Sequence, residues 1–131
     1  MSKINWESSL LSSKEDMKSV INNLESGQSR IAMVVDDEGR LIGTVTDGDI
    51  RRAILVNLPM DANVKEFMNN RPTSIDSELK KDAILQIMRQ KEIMQIPIVD
   101  KSKKVVGLET LDHLLEEKKL ENPVFIMAGG F

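Results

Sequence analysis

The chain of 131 residues has no cysteine and no tyrosine, and only 3% of its residues are aromatic. Without cysteine it cannot form a disulfide, and it offers no thiolate for catalysis or metal binding. Its one histidine, His113, is too few for a zinc cluster or a catalytic triad. With so few aromatic side chains, the hydrophobic core must be built from isoleucine, valine, leucine and methionine.

The chain also lacks an excess of positive charge and any long hydrophobic run. A net charge of −3 gives no basic face to neutralise phosphates, and one tryptophan and three phenylalanines are too few for a stacking groove. No apolar run approaches the roughly 20 residues that span a bilayer. The first residues show no charged segment followed by an apolar run, as a signal peptide would. We expect a cytoplasmic protein without nucleic-acid or membrane partners.

Two segments, 31–46 and 95–110, repeat without a gap at an offset of 64 residues. The identical pairs are Val35/Val99, Asp36/Asp100, Gly43/Gly107 and Thr46/Thr110. The order of predicted elements, β-α-β-β-α, also repeats. A unit of about 60 residues buries too little surface to be robust alone, so the two units should share a core.

The predicted elements follow from hydrophobic spacing and turn signals. A capping box, Ser12-x-x-Glu15, predicts the start of the first helix, and Asp76 or Ser77 predicts the start of its counterpart. The extended pieces are Leu10–Leu11 and Thr73–Ile75, the hairpin strands are Ile31–Val35, Leu41–Thr46, Ile96–Val99 and Val105–Leu108, and the closing helices are Asp49–Leu55 and Leu111–Lys118.

The repeat order, the spacing and the motif Gly43-x-x-Thr46-x-x-Asp49 together resemble the CBS domain pair, or Bateman module. The run from Thr46 to Arg52 is similar to the version in sugar-phosphate isomerases and some nucleotidyltransferases. The resemblance implies an α/β fold of two pseudo-symmetric β-α-β-β-α CBS repeats packed as one module, commonly as a homodimer. It divides the chain into an N-terminal segment (1–7), repeat 1 (8–58), a linker (59–70), repeat 2 (71–120) and the start of a truncated nucleotidyltransferase-like domain (121–131).

The last ten residues, Asn122 to Phe131, resemble the opening strand of sugar nucleotidyltransferases. In those enzymes the strand leads into a glycine-rich loop and an essential arginine, and the sequence given stops before that arginine. We therefore expect a non-catalytic fragment attached in cis to the catalytic domain of a sugar-phosphate nucleotidyltransferase. The alternative is an apolar strand that completes the module itself.

The motif around Thr46 has a chemistry of its own. A strand ends at Thr46 and a helix begins near Asp49, and a helix N-terminus offers free N–H groups to a phosphate. The Thr46 hydroxyl can donate to a phosphate oxygen, while the Asp49 carboxylate only accepts and so suits the hydroxyls of a ribose. Arg51 or Arg52 could reach a phosphate. In the alternative, Asp47 or Asp49 is an ordinary helix cap and both arginines are solvated.

The resemblance implies that the first cleft holds an adenosine nucleotide, AMP, ADP or ATP, with no cofactor required. The residues it brings together there are Thr46, Asp49, Arg52, Thr73, Ile75, Gln95, Ile96 and Pro97. Strand backbone would hydrogen-bond the base, with Ile75 and Ile96 covering its faces. No metal is expected, because the acidic turns lack the full spacing of a calcium loop.

The second cleft departs from the family pattern. Its expected residues are Ser9, Leu11, Ile31, Thr110 and His113. His113 stands where the motif has Asp49, and a neutral imidazole offers no carboxylate to a diol. Glu109 adds negative charge near any phosphate. We expect this cleft to be weak, empty or altered in specificity.

Two other functions compete with nucleotide sensing. The pair could be a structural dimerisation module with no physiological ligand, which the substitution at His113 favours. It could be an enzyme in its own right, but the sequence has no paired carboxylates with a nucleophile and no complete glycine-rich loop.

Overall fold

A computed structural model of the chain describes residues 5–27 and 29–121. The predictions for the tail, Asn122 to Phe131, therefore lie outside the described residues. The elements in chain order are β1 (Leu10–Ser12), α1 (Met17–Ser26), β2 (Ile31–Val35), β3 (Leu41–Thr46), α2 (Asp47–Leu55), β4 (Ile75–Asp76), α3 (Lys81–Lys91), β5 (Gln95–Val99), β6 (Val105–Thr110) and α4 (Leu111–Glu121). Short 3₁₀ turns lie at Trp6–Ser9 and Val64–Glu66.

Each half folds into a three-stranded sheet, β1-β2-β3 or β4-β5-β6, in which the first strand is parallel to the second and the second antiparallel to the third. The register repeats as well. Val34 lies opposite Gly43, and Ile98 lies opposite Gly107. The same irregularity follows Val34 and Ile98. The predicted α/β fold of two β-α-β-β-α repeats is confirmed.

The start of α1 differs from the prediction. The helix begins at Met17, and the Asp16 carboxylate caps it by accepting a hydrogen bond from the Ser19 N–H at 3.0 Å. That bond lowers the pKa of Asp16 below its usual value. The capping box predicted from Ser12 is wrong because Ser12 still belongs to β1, paired with Val35.

The start of α3 also differs. The predicted caps are wrong, because Asp76 still lies in β4 and its carboxylate accepts the Glu78 N–H at 2.8 Å in a turn. The helix begins only at Lys81, after Lys80, whose side chain makes no capping hydrogen bond. It ends at Lys91, and the C-cap residue Glu92 is in the left-handed conformation, with φ of 57°.

The two repeats join through their hairpin turns. Leu41 N–H donates to the carbonyl of Lys103 at 2.9 Å, and Val105 N–H donates to the carbonyl of Gly39 at 3.2 Å. Because these two bonds exchange under the 64-residue offset, a pseudo-twofold axis passes between the turns.

The segment predicted as a linker over 59–70 packs into the first repeat. Val64 is fully buried in the core of that repeat, and Phe67 and Met68 pack against the same cluster. Its backbone also holds the start of α1, since Met17 N–H donates to the carbonyl of Ala62 at 3.0 Å. The packed segment thereby fixes where the chain re-enters the space between the repeats.

In the described part of the chain, no helix is long and apolar enough to cross a bilayer.

Candidate functional site

A cavity of about 390 Å³ opens between the repeats, where β3 ends and α2 begins. Both repeats and the segment between them supply its walls. The lining residues are Ile31, Thr44, Thr46, Asp49 and Arg52 from repeat 1, Asn69 and Thr73 from the connecting segment, and Glu92, Ile93, Met94, Gln95 and Pro97 from repeat 2.

Asp49 is held firmly at one side of this cavity. Its Oδ2 accepts hydrogen bonds from the Thr46 N–H at 2.9 Å and the Thr46 hydroxyl at 3.3 Å. Its Oδ1 accepts from Arg52 Nη2 at 2.6 Å. The Asp49 side chain is 13% exposed and that of Arg52 is 71% exposed. Since each carboxylate oxygen has two lone pairs, only one acceptor position remains while Arg52 is bound, and a ribose diol could donate twice to Asp49 only after Arg52 leaves Oδ1.

The capping interpretation of the motif is correct in part. Thr46 precedes the first residue of α2, and Asp49 completes a capping box with it. The same arrangement leaves the N–H groups at the start of the nine-residue helix α2 beside the cavity. The structure does not require glycine at position 48, because a Cβ there would meet nothing closer than Arg52 Nη1 at 3.5 Å. A phosphate could therefore approach the helix N-terminus with the Arg52 charge nearby.

Gly43 allows the connecting segment to reach the cavity. A Cβ on Gly43 would collide with the Met68 side chain and lie 3.0 Å from the carbonyl oxygen of Asn69. The neighbouring Thr44 exchanges two backbone hydrogen bonds with Asn69, at 3.1 and 2.8 Å. The glycine three residues before Thr46 thus has a steric reason, since it lets Asn69 line the site.

The opposite wall comes from the turn after α3 and the start of β5. The left-handed residue Glu92 redirects the chain, and Met94 O then accepts the Leu111 N–H at 2.8 Å, which ties the turn to α4. Ile93 and Pro97 make this wall largely apolar. It can cover a flat heterocycle, while the carboxylate and the helix N-terminus lie on the other side.

The family model of the CBS domain matches residues 10–56 and 64–119. The chain belongs to the CBS domain family. A protein of Helicobacter pylori described only as uncharacterized is 33% identical over 99 residues, which are 71% of this chain and 29% of that protein. A probable arabinose 5-phosphate isomerase of Haemophilus influenzae is 32% identical over 87 residues, 65% of this chain and 26% of the enzyme. The chain thus spans less than a third of either relative.

Solved structures of CBS pairs share the fold. A CBS domain pair in complex with 5′-methylthioadenosine and S-adenosyl-L-methionine superposes with a TM-score of 0.76 at 21% identity, covering 86% of this chain and 89% of that one. A CBS domain protein of Pyrobaculum aerophilum complexed with AMP superposes with a TM-score of 0.72 at 20% identity, covering 82% and 88%.

In this CBS pair, six of the eight residues predicted for the first cleft line the cavity: Thr46, Asp49, Arg52, Thr73, Gln95 and Pro97. Ile75 and Ile96 lie instead in the core of repeat 2, 5% and 0% exposed. Alternation along β5 explains this difference. Gln95 and Pro97 face the cavity, so the side chain of Ile96 between them points to the other face.

Sequence reasoning missed half of the lining. Ile31, which was predicted for the second cleft, lines the first, because the hairpin pairs it with Thr46. The hairpin predicted from the sequence already implied that Ile31 lies beside Thr46. The other residues not predicted are Thr44, Asn69, Glu92, Ile93 and Met94. Asn69 depends on the close approach at Gly43, which only the packed structure reveals.

The structure places the residues predicted for the second cleft in different surroundings. Ser9 and Leu11 are buried, 1% and 7% exposed. His113 lies in a depression of about 450 Å³ with Trp6 and Glu109, and its Nδ1 is 2.8 Å from Glu109 Oε1. Thr110, Ser9, Leu11 and Ile31 are not among the residues that line this depression.

Proposed function

We propose that this CBS pair is a non-catalytic regulatory module that binds an adenosine nucleotide, AMP, ADP or ATP, in the cavity between its repeats. The observation that supports this most is Asp49, a carboxylate that Thr46 holds at the start of α2. It faces the largely apolar wall of repeat 2 across the cavity of about 390 Å³. Solved CBS pairs of the same fold are complexed with AMP or with 5′-methylthioadenosine and S-adenosyl-L-methionine, and the cytosolic domain of a magnesium channel with ATP.

The cavity suggests how such a ligand would lie. Adenine packs on the apolar wall at Ile93 and Pro97, where strand backbone can hydrogen-bond its edge. The ribose diol donates to Asp49. The phosphate meets the N-terminus of α2 and the guanidinium of Arg52. In this arrangement the base, the ribose and the phosphate each contact a chemically complementary group of the protein.

The module controls an attached sugar nucleotidyltransferase domain in the cytoplasm. Support comes from the tail pattern after Glu121 and from the larger size of the relatives, one of which is named as a sugar-phosphate isomerase. Regulation requires that the nucleotide bind one arrangement of the repeats more tightly than another. The cavity lies between the repeats, so a change in their spacing changes its shape directly.

The pair also forms a homodimer. Apolar side chains are exposed where α2 ends, namely Ile54, Leu55 and Val56 at 53%, 72% and 68%. Water contact with such a patch is unfavourable, and a second copy would cover it. The same patch favours the second candidate function, a dimerisation module without a physiological ligand. Light scattering on wild type and Leu55→Lys tests the dimer, which the variant should break.

Thermal unfolding with AMP, ADP, ATP, GMP and CMP tests nucleotide binding. A ligand at about 100 times its Kd stabilises the fold by about 2.7 kcal/mol, a shift of several degrees for a chain of this size. Adenosine nucleotides should give this shift in wild type and in Asp112→Ala, an exposed aspartate at the start of α4. Asp49→Ala should abolish it. No shift with any nucleotide, or a shift that survives in Asp49→Ala, would refute the proposed site.

A further inference from the structure

The second cleft has apolar residues at positions that correspond, by the pseudo-twofold symmetry, to lining positions of the first cleft. Under the 64-residue offset, Thr44 corresponds to Leu108, Gln95 to Ile31 and Pro97 to Met33. Leu108, Ile31 and Met33 are 4%, 5% and 0% exposed and form one buried cluster. The partly buried side chains packed on that cluster are Trp6, Leu10, Leu41 and Val105.

We infer that this cluster and Trp6 occupy the second cleft, so that among the described residues only the first of the two clefts offers a nucleotide site. The cavity of about 450 Å³ that remains beside Trp6 and His113 is lined by Glu7 and Glu109 and by no arginine or lysine. The clustered residues come from both repeats, since β2 supplies Met33 and β6 supplies Leu108. The cluster therefore packs the two repeats against each other at the second cleft. The open cleft on the other side is where a ligand can act.

The backbone before each repeat explains why Trp6 reaches this position. Residues 6–9 coil into a 3₁₀ turn that Ser8 closes, its N–H and hydroxyl donating to the carbonyl of Asn5 at 3.3 and 2.8 Å. The residue that corresponds to Ser8 is Pro72, which has no N–H and favours extended backbone before it. The coil turns Ser9 inward, to 1% exposure, whereas its counterpart Thr73 lines the open cavity.

Charge at the start of α4 also opposes a phosphorylated ligand. His113 and Glu116 stand where the first cleft has Asp49 and Arg52. Glu109 is hydrogen-bonded to His113, which leaves a negative rather than a positive surface beside Trp6. A phosphate that approached this helix N-terminus would meet repulsion in place of the guanidinium.

The test begins without any nucleotide, because Trp6 is the single tryptophan of the chain. Acrylamide should quench its fluorescence at least about twofold less efficiently in the folded chain than in urea, since the cluster shields one face of the ring. Leu108→Thr removes part of that shield and should raise the quenching. Equal quenching in folded and unfolded wild type would overturn the inference.

A space-filling test uses Trp6→Ala. The variant should melt several degrees below wild type, and indole at millimolar concentration should restore part of that loss by occupying the vacated space. The matched control is Val64→Ala, because the loss of two methyl groups from a fully buried residue leaves a space too small for indole. Indole that stabilises neither variant, or both equally, would contradict the inference.

Calorimetric titration with AMP then counts sites. One AMP per chain that leaves the Trp6 emission unchanged agrees with a filled second cleft. A second AMP per chain that quenches Trp6 overturns it. If no AMP binds at all, the proposed function fails, while the acrylamide and indole measurements still decide the inference about Trp6.

Discussion

Replacing Arg52 by glutamine is expected to change the affinities for adenosine and AMP in opposite directions. In the structure Arg52 Nη2 lies 2.6 Å from Asp49 Oδ1, so the guanidinium occupies the carboxylate that the ribose diol must use. Adenosine has to displace the Arg52 guanidinium from Asp49, and it carries no phosphate that could pair with the freed guanidinium. A nucleotide with a phosphate displaces it too, but then offers the guanidinium a new partner.

The magnitudes follow from the exposure of the pair. With the Arg52 side chain 71% exposed, its ion pair with Asp49 contributes about 0.3–1 kcal/mol. Adenosine should therefore bind Arg52→Gln roughly two- to fivefold more tightly. A charge-assisted hydrogen bond to phosphate is worth about 1.5–3 kcal/mol. After the gain at Asp49 is subtracted, AMP should bind the variant about tenfold more weakly.

Isothermal calorimetry with adenosine and AMP on wild type and Arg52→Gln measures both changes. Arg51→Gln is the matched control, because Arg51 is the neighbouring exposed arginine and does not line the cavity. Its affinities for both ligands should stay close to those of wild type. The reasoning is refuted if Arg52→Gln binds adenosine more weakly, or if it weakens both ligands by the same factor.

Three further substitutions test how the fold positions the cavity. Gly43→Ala should destabilise the chain by about 1–3 kcal/mol and weaken AMP binding, because the new methyl group collides with the Met68 side chain and crowds the Asn69 carbonyl. Val64→Ala should cost about 2 kcal/mol in the free energy of unfolding, since Val64 is fully buried. Asp16→Ala should lower the Tm by a few degrees at neutral pH through loss of its helix cap. The Ser19 N–H lowers the pKa of Asp16, so this stabilisation is present at higher pH and the difference from wild type should vanish as the pH falls below 3.8.

Each of these substitutions has a control in the same chain. Gly107→Ala should cost less than Gly43→Ala, because its Cβ would meet only the flexible end of Ile98, at 3.3 Å. Val56→Ala, at a residue 68% exposed, should change stability by about 0.5 kcal/mol or less. Ser12→Ala should leave the Tm nearly unchanged. Chemical denaturation and thermal scans from pH 2 to 7 measure all six variants, and equal effects of a substitution and its control would contradict the assigned contact.

The sequence predicted the hairpins and the repeat well because both depend on local pattern. Short apolar runs and the turn residues between them pair β2 with β3 and β5 with β6. The strand-to-helix turn at Thr46 and Asp49 is also local, since three residues decide its hydrogen bonds. These elements needed no knowledge of the tertiary contacts.

The remaining errors concern residues whose local sequence pattern fits two placements, of which the tertiary contacts select one. Ser12 has the pattern of a helix cap, but its pairing with β2 keeps it in a strand. Ile96 lies between two cavity residues and yet faces the core, a choice that depends on which side of β5 packs on α3. Trp6 precedes the repeat, and only the packed structure shows it against Leu108 and Met33. Such choices are tertiary and cannot be settled by residue spacing alone.

A crystal structure of the chain grown with AMP tests the central claim most directly. The account predicts electron density for one AMP per chain, with the ribose hydroxyls on Asp49, the adenine against Pro97 and the phosphate at the N-terminus of α2. Arg52 should leave Asp49 and turn toward the phosphate. Density for AMP elsewhere, or an empty cavity at an AMP concentration that saturates binding in solution, would contradict it.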